Sequence, residues 1–534
     1  ADIHLFTKTN NDLSASANHT YIYTVAAIAL LILLIAIINY MNLYVLHGEK
    51  RIREIATRKS FGADKRWLIR LFYYDAMVMG GAALLLALFI VSLIHPYFAQ
   101  LMGVPMPLAE LFTWFGSLII LAIVFVVIFI SSMYPVFYLS RINLLDGLKG
   151  KSPDVKRKSR MSTASLLLQF AITIFLVGTL LAINSQINHL KNMPLGLNPD
   201  PVLNISGLTP KLKKHNDGIK NELQKLPFVE NIATSHHAMG YGCSGQTITK
   251  FGSQENDKSI NEYRVHPGFC SVMQFELVSG RFFTDSEQDK AGIILNESAA
   301  KMQGITEANK EMLDMGHIID GKPMPMPVVG ILKNFYYSGN TGQPIGALAL
   351  TNYADSYRNI YIQNTDTWSG EQISRVTQVL QQFDDTYTYS GRELSRVYGQ
   401  KYRSIERTRS LVWAGALLAI LLSLSGLVAL SVMNVGRRTK EVGMRKVLGS
   451  TELEVVFKLM KDTLQWIPVS AVVAFVGMYY YLNNWLADFA NKIPLSAWFY
   501  IVSAVVVLVF AVLAVSWQTW RAASRNPIKA LRYE

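Results

Sequence analysis

Cysteine is nearly missing from this chain: its 534 residues contain two, Cys243 and Cys270. That excludes a disulfide-stapled scaffold and a zinc site built from cysteine quartets. In an oxidising compartment the two could pair with each other, so a disulfide and two isolated thiols both stay open. Charge is also sparse, at 17% of residues against 51% apolar ones. Catalytic signatures are lacking, with no nucleophile elbow, zinc-protease helix or paired-carboxylate motif. The nearest approach to a phosphate loop, Gly150-Lys151-Ser152, has Leu145 where such a loop needs its first glycine, and it comes after an apolar helix rather than a strand. These absences argue against an enzyme and against a nucleotide site in this chain. No metal site is expected either. His236 and His237, adjacent on a strand, would point to opposite faces with no acid or cysteine at ligand spacing, which leaves a surface or loop role. Met324 and Met326 alternate with Pro323, Pro325 and Pro327 and read as an edge-strand loop rather than a soft-metal site.

What the chain does have is long apolar runs. Seven of them, at 21–46, 76–94, 112–138, 164–184, 411–433, 466–486 and 497–517, reach the roughly 20 residues that a helix needs to cross a bilayer. Lysine and arginine set their orientation. Segments 47–74, 139–163, 434–465 and 520–534 hold 8, 7, 7 and 4 basic residues, whereas the short segments 95–111 and 487–496 hold only Lys492. The basic segments are therefore assigned to the cytoplasm, and the residues from Ser185 to Arg409 to one large external domain. The net charge of +13 arises from that inner face, with membrane lipid and not nucleic acid as its natural counterpart. The fold class expected is an α-helical polytopic membrane protein with a large α+β extracytoplasmic domain. In that domain, alternation predicts strands at 202–208, 228–234, 246–251, 260–266, 292–295, 328–332, 347–351 and 359–363, and helices at 211–226, 297–302 and 369–383. The polar run 392–409 is expected to continue as one helix into the fifth span, as a stiff stalk.

A repeat organises the cytoplasmic side. Arg-Glu-Ile-Ala-Thr-Arg-Lys-Ser-Phe-Gly-Ala-Asp at 53–64 returns as Lys-Glu-Val-Gly-Met-Arg-Lys-Val-Leu-Gly-Ser-Thr at 440–451, an offset of 387 residues. Glu54, Arg58, Lys59 and Gly62 thus correspond to Glu441, Arg445, Lys446 and Gly449, while Ala56 stands opposite Gly443. On a helix Glu54 and Arg58, like Glu441 and Arg445, form i,i+4 pairs in the favourable order. Each glycine suits a left-handed C-cap, Asp64 and Thr451 suit the N-cap of a second helix, and Thr451 with Glu454 completes a capping box. The expected shape is helix, elbow, helix. The cytoplasmic ends of the repeat unit also match, as Ser140-Arg-Ile-Asn-Leu-Leu-Asp-Gly-Leu-Lys149 and Ser524-Arg-Asn-Pro-Ile-Lys-Ala-Leu-Arg532.

The doubled elbow, the three-span unit around it, Val278-Ser-Gly-Arg-Phe-Phe283, Val328-Val-Gly-Ile-Leu-Lys-Asn-Phe335 and the tail from Asn526 together resemble FtsX-like permeases of ABC transporters with MacB-type periplasmic core domains. The resemblance covers essentially the whole chain and is nearest to a doubled, Bacteroidetes-like form. It implies the end of an upstream periplasmic domain at 1–20, a first three-span unit at 21–148, a linker at 149–163, a span at 164–184, a periplasmic domain with stalk at 185–409 and a second three-span unit at 410–534. It further implies that the first span and most of a first periplasmic domain precede residue 1. The expected location is the bacterial inner membrane, with the large domain in the periplasm. Two copies of a separate ATPase would bind Glu54, Arg58, Lys59, Gly62, Glu441, Gly443, Arg445, Lys446 and Gly449. ATP and magnesium would be handled by that partner, and a periplasmic adaptor or outer-membrane protein would be a further partner. The function implied is mechanotransmission for export or extraction of an envelope substrate, the alternative being a regulatory motor that activates a periplasmic enzyme such as a cell-wall hydrolase.

Overall fold

The computed structural model describes residues 19–50, 52–102, 107–140, 155–253, 257–319, 322–352, 357–386, 391–437, 444, 448 and 450–523. The chain divides into two compact units: one takes residues up to Ser185, Ile405–Trp485 and those from Pro494 on, the other Gln186–Ser404 and Leu486–Ile493.

The first unit is helical. Helix α1 (His19–Lys50), the short α2 (Ile52–Ser60), α3 (Lys65–Met102) and α4 (Trp114–Ser140) come from the first repeat. After α5 (Val155–Lys191), the second repeat gives the long helix that reaches Arg437, then Glu452–Leu464, Ile467–Ala487 and Ala497–Ala523. Among the described residues, seven helical stretches are long and apolar enough to span a membrane, and each overlaps one of the expected runs. Their core joins both repeats, with Ile35 from α1, Phe170, Ile174 and Val177 from α5, and Ala419, Leu427, Val507 and Ala511 from the second repeat. By contrast α3 and α4 expose Leu85, Phe89, Leu121 and Phe125, the surface expected of helices solvated by lipid.

The second unit is α+β. Strands β1 (Val202–Ser206), β2 (Val229–Ser235), β3 (Ser244–Lys250) and β4 (Lys258–Arg264) are accompanied by α6 (Pro210–Lys214), α7 (Asn216–Gln224) and α8 (Phe269–Val272). Next come β5 (Leu277–Gly280), β6 (Ile293–Asn296), α9 (Glu297–Gln303), β7 (Met312–Asp314), the small hairpin β8 (Ile318–Ile319) and β9 (Lys322–Pro323), and β10 (Met326–Leu332). The remainder is β11 (Leu348–Thr351), β12 (Asn359–Asn364), α10 (Gly370–Phe383), β13 (Arg392–Glu393) and α11 (Leu394–Gln400). One sheet runs β13-β1-β12-β2. The other runs β5-β10-β6-β11-β4-β3-β7 and closes on itself through a second pairing of β7 with β10. That ring of six strands is filled by Ile248, Ile260, Leu295, Leu313, Met326, Val328 and Ala349, one or more from each strand. Met324 and Met326 are therefore core residues: Met326 opens β10 fully buried and Met324 is 5% exposed, which corrects the edge-loop reading.

Each of the eight expected strands appears within a residue or two. The expected helix 211–226 is instead two short ones, because His215 both ends α6 and begins α7. The stalk expected to run unbroken over 392–409 is also corrected. Its first residues are β13, and α11 stops at Gln400 before α12 (Arg403–Arg437) begins. The break reflects a tether: Tyr402, 5% exposed, shares a 2.7 Å hydrogen bond with the Thr341 hydroxyl, which also donates to the Leu190 carbonyl at 2.8 Å.

Residues Leu486–Ile493, expected only as a short external connection, are woven into this second unit. Asn491 donates to the Thr341 carbonyl at 2.7 Å and to the Tyr336 hydroxyl at 2.8 Å. Gln186, fully buried, donates to the Asn491 carbonyl at 2.8 Å and accepts from the Ile493 amide at 2.9 Å.

Candidate functional site

The first elbow is built by its own sequence. Over α2, Glu54 and Arg58 form an ion pair of 2.7 Å, and the Arg58 guanidinium also lies 5.5 Å from the centre of the Trp67 ring on α3. The helix stops at Gly62, whose φ of +88° is the left-handed conformation expected of it. The Ala63 amide donates to the Arg58 carbonyl and the Gly62 amide to the Lys59 carbonyl, both at 3.0 Å, the two bonds of a Schellman cap. Asp64 then immediately precedes α3, its carbonyl accepting the Leu68 amide at 3.2 Å. Beneath the turn Ile55 packs with Leu68 and Phe72 in one buried cluster, and the Tyr44 hydroxyl donates to the Phe72 carbonyl at 2.8 Å. Ala56 is wholly buried as well. The elbow is thus a fixed corner with its charged side chains outward, and the side chains of Glu54 and Arg58 are 39% and 37% exposed.

In the second elbow, Glu441, Gly443, Arg445, Lys446 and Gly449 lie outside the described residues. The helix beyond them starts as expected. Thr451 caps α13 (Glu452–Leu464) by accepting the Glu454 amide at 3.3 Å, and the Glu454 carboxylate accepts the Thr451 amide at 3.2 Å.

The charge pattern did not single out one apolar residue in each copy of the repeat. Phe61 is 87% exposed and Leu448 79% exposed, and the 387-residue offset makes them equivalent. An apolar residue beside a predicted cap glycine was the available signal. Exposed large side chains of this kind, rimmed by charge, are characteristic of partner contacts.

In the second unit, the two cysteines are free thiols, Cys270 buried and Cys243 half-buried. Burial pushes the Cys270 thiol up to about 12 and the Cys243 thiol up to about 11, so neither is a reactive thiolate at neutral pH. His236 and His237 lie just beyond β2 and not on a strand, with rings 4.9 Å apart, so the opposite-face argument does not apply and the loop reading stands. Burial, then His236, lowers His237 to about 4, and its Nε2 shares a 2.8 Å hydrogen bond with Ser244. Arg281 serves to hold Asp289, with Nη1 and Nη2 at 2.7 and 2.8 Å from the two carboxylate oxygens. The Arg281 hydrogen bonds keep the Asp289 carboxyl well below the usual range, helped by the Thr284 hydroxyl and amide.

Comparison with known proteins agrees with this division of the chain. The FtsX-like permease C-terminal family model matches residues 26–144 and 413–527, and the MacB-like periplasmic core domain model matches 167–383 between them. An uncharacterised ABC transporter permease, YknZ of Bacillus subtilis (strain 168), is 20% identical over 59% of this chain and 79% of its own length. The macrolide export ATP-binding/permease protein MacB of Aggregatibacter actinomycetemcomitans is 22% identical over 61% of this chain, but the match spans only 51% of that relative. Among solved structures, the extracellular domain of YknZ from Gram-positive bacteria aligns at 17% identity over 36% of this chain and 98% of its own, with a TM-score of 0.26. Two copies of the permease unit enclosing one core domain account for most of the chain, which belongs to the FtsX-like ABC transporter permeases with a MacB-like periplasmic core domain.

Proposed function

We propose that this permease docks two ATPase subunits, one on each elbow, and converts their ATP binding and hydrolysis into motion of the periplasmic-type domain from the bacterial inner membrane. The first elbow carries the reading: a capped, rigid corner presents Phe61 beside the half-exposed Glu54–Arg58 pair, and the sequence repeats the pattern 387 residues later. A body bound there would move α2 and α3 together, because Ile55, Leu68 and Phe72 share one buried cluster. ATP and magnesium belong to the partner in this scheme, since the only stretch resembling a phosphate loop lacks its first glycine. The macrolide-exporting relative supports export or extraction of an envelope substrate as the work done.

The test is affinity purification of the full chain from its native membrane, with the bound chains identified by mass spectrometry. An ABC-type ATPase is expected to co-elute. The double substitution Glu441→Lys with Arg445→Glu reverses both charges while keeping opposite charges four residues apart, so the docking charge is inverted without a change in net charge. Recovery of the ATPase should then fall about twofold, to the subunit held by the first elbow. Undiminished recovery from a variant that still elutes as a monodisperse particle would refute the docking assignment.

A further inference from the structure

The 387-residue offset reappears where it was not sought, inside the membrane unit. A Cβ placed on Gly415 of α12 would lie 2.6 Å from the Ile28 Cγ2 of α1, and Gly415 is the repeat equivalent of Ile28. Three helical turns further on, a Cβ on Gly426 would lie 2.7 Å from the Asn39 Oδ1, and Gly426 is the equivalent of Asn39. Helices that meet at equivalent positions at two separate levels run parallel and sit on a twofold axis, since that is the condition for a surface to pair with its own copy. Between those levels lie Ile32 and Ile35 on α1, matched by Ala419 and Leu422 on α12. The spacing of four, three and four residues is that of a coiled-coil seam.

The two sides of the seam are complementary in size. Helix α1 presents Ile28 and Asn39 where α12 presents glycine, and glycines let the backbones approach closely in a membrane interior. Asn39 uses that closeness: its Nδ2 donates to the Leu422 carbonyl at 3.0 Å and to the Ser425 hydroxyl at 2.6 Å. Beside it, Thr173 of α5 shares a 2.7 Å hydrogen bond with Ser423, and the Gln169 amide lies 3.1 and 3.2 Å from the Gly426 Cβ position. A buried asparagine in an apolar seam costs least at a register where its amide group is hydrogen-bonded, as Nδ2 is here, and where its Oδ1, buried without a partner, faces a glycine and not a bulkier side chain. We propose that the α1–α12 seam is the pseudo-twofold axis of the membrane unit, and that Asn39 opposite Gly426 is the pin that fixes the register of the two halves.

Helix α5 already begins at Val155, so the linker expected at 149–163 is shorter than its sequence suggested, and disulfide cross-linking of the full chain in its membrane tests the proposal with a protease site placed within 149–154, a cross-link being read as halves that stay joined after cutting. Ile28→Cys alone is the control for reaction with Cys243 and Cys270. Ile28→Cys with Gly415→Cys should cross-link at least ~10-fold better than Ile28→Cys with Leu422→Cys, which is one heptad away and beyond disulfide reach. Asn39→Leu, with Asn39→Ser as a milder variant should the first fail to insert, should collapse that ratio toward ~1 as register freedom appears. The exchange Asn39→Gly with Gly426→Asn places the same pair on the opposite sides of the axis, and should restore the ratio to within ~2-fold of the unmodified seam. The proposal is overturned by equal cross-linking of both pairs in the unmodified seam, by a ratio that survives loss of Asn39, or by an exchange no better than Asn39→Gly alone.

Discussion

Two ion pairs of equal length sit in opposite surroundings in this molecule. Glu54–Arg58 on the first elbow and Asp289–Arg281 in the α+β unit both close at 2.7 Å. The elbow pair has both side chains more than a third exposed, whereas the Asp289 side chain is 2% exposed and also accepts the Thr284 amide at 2.7 Å and hydroxyl at 2.6 Å. A carboxylate buried among four hydrogen bonds is a fixed part of its fold. A pair left at the surface holds little stability, and its charges lie within reach of an incoming partner. Distance therefore says nothing about role, and burial says most of it.

Substitutions sharpen that contrast in order of size. Asp289→Asn leaves Arg281 without its countercharge and should cost about 2 kcal/mol at neutral pH, read from thermal unfolding of the solubilised chain. Because the folded-state carboxyl titrates below the unfolded one, the stabilisation is complete above the unfolded pKa of about 4 and lost as pH falls through the folded value. The variant's deficit should accordingly shrink on acidification below about pH 4. Gly62→Ala puts a side chain in open space but at φ +88°, so strain alone, about 1 kcal/mol, should loosen the elbow, seen as faster amide exchange over 52–64. Glu54→Ala should change stability least, by about 0.3 kcal/mol, yet reduce recovery of the ATPase. An equal loss of stability at Glu54 and Asp289 would break the comparison.

The sequence made some of this legible and hid the rest for physical reasons. Apolar runs located the seven spans, and alternation located the longer strands, because both signals scale with the number of residues buried. Strand β7 escaped, being three residues long and held between β3 and β10 by the closing of the ring, and β5 escaped because, as a mostly exposed edge strand, it buries no run of residues. The elbow cap was readable from Gly62 and the capping box from Thr451 and Glu454, since each is a local rule. The break before α12 and the fastening of Leu486–Ile493 were not, because they depend on Tyr402, Thr341, Gln186 and Asn491 meeting across long separations.

The repeat also diverges in a way that only the structure explains. In the first half α3 runs unbroken from the elbow through its span, while in the second half α13 ends at Leu464 and α14 (Ile467–Ala487) begins anew. Pro468 occupies the place of Gly81 and lacks the amide that would bond the Leu464 carbonyl and carry α13 on. Helix α3 is thus continuous through its span, whereas α13 is separated from α14 by a turn.

Counting ATPase subunits on the intact permease by native mass spectrometry tests the central claim most directly. Two subunits per chain are predicted, falling to one when Glu54→Lys and Arg58→Glu are introduced together. A single subunit on the unmodified chain, or two still bound to that variant, would contradict it.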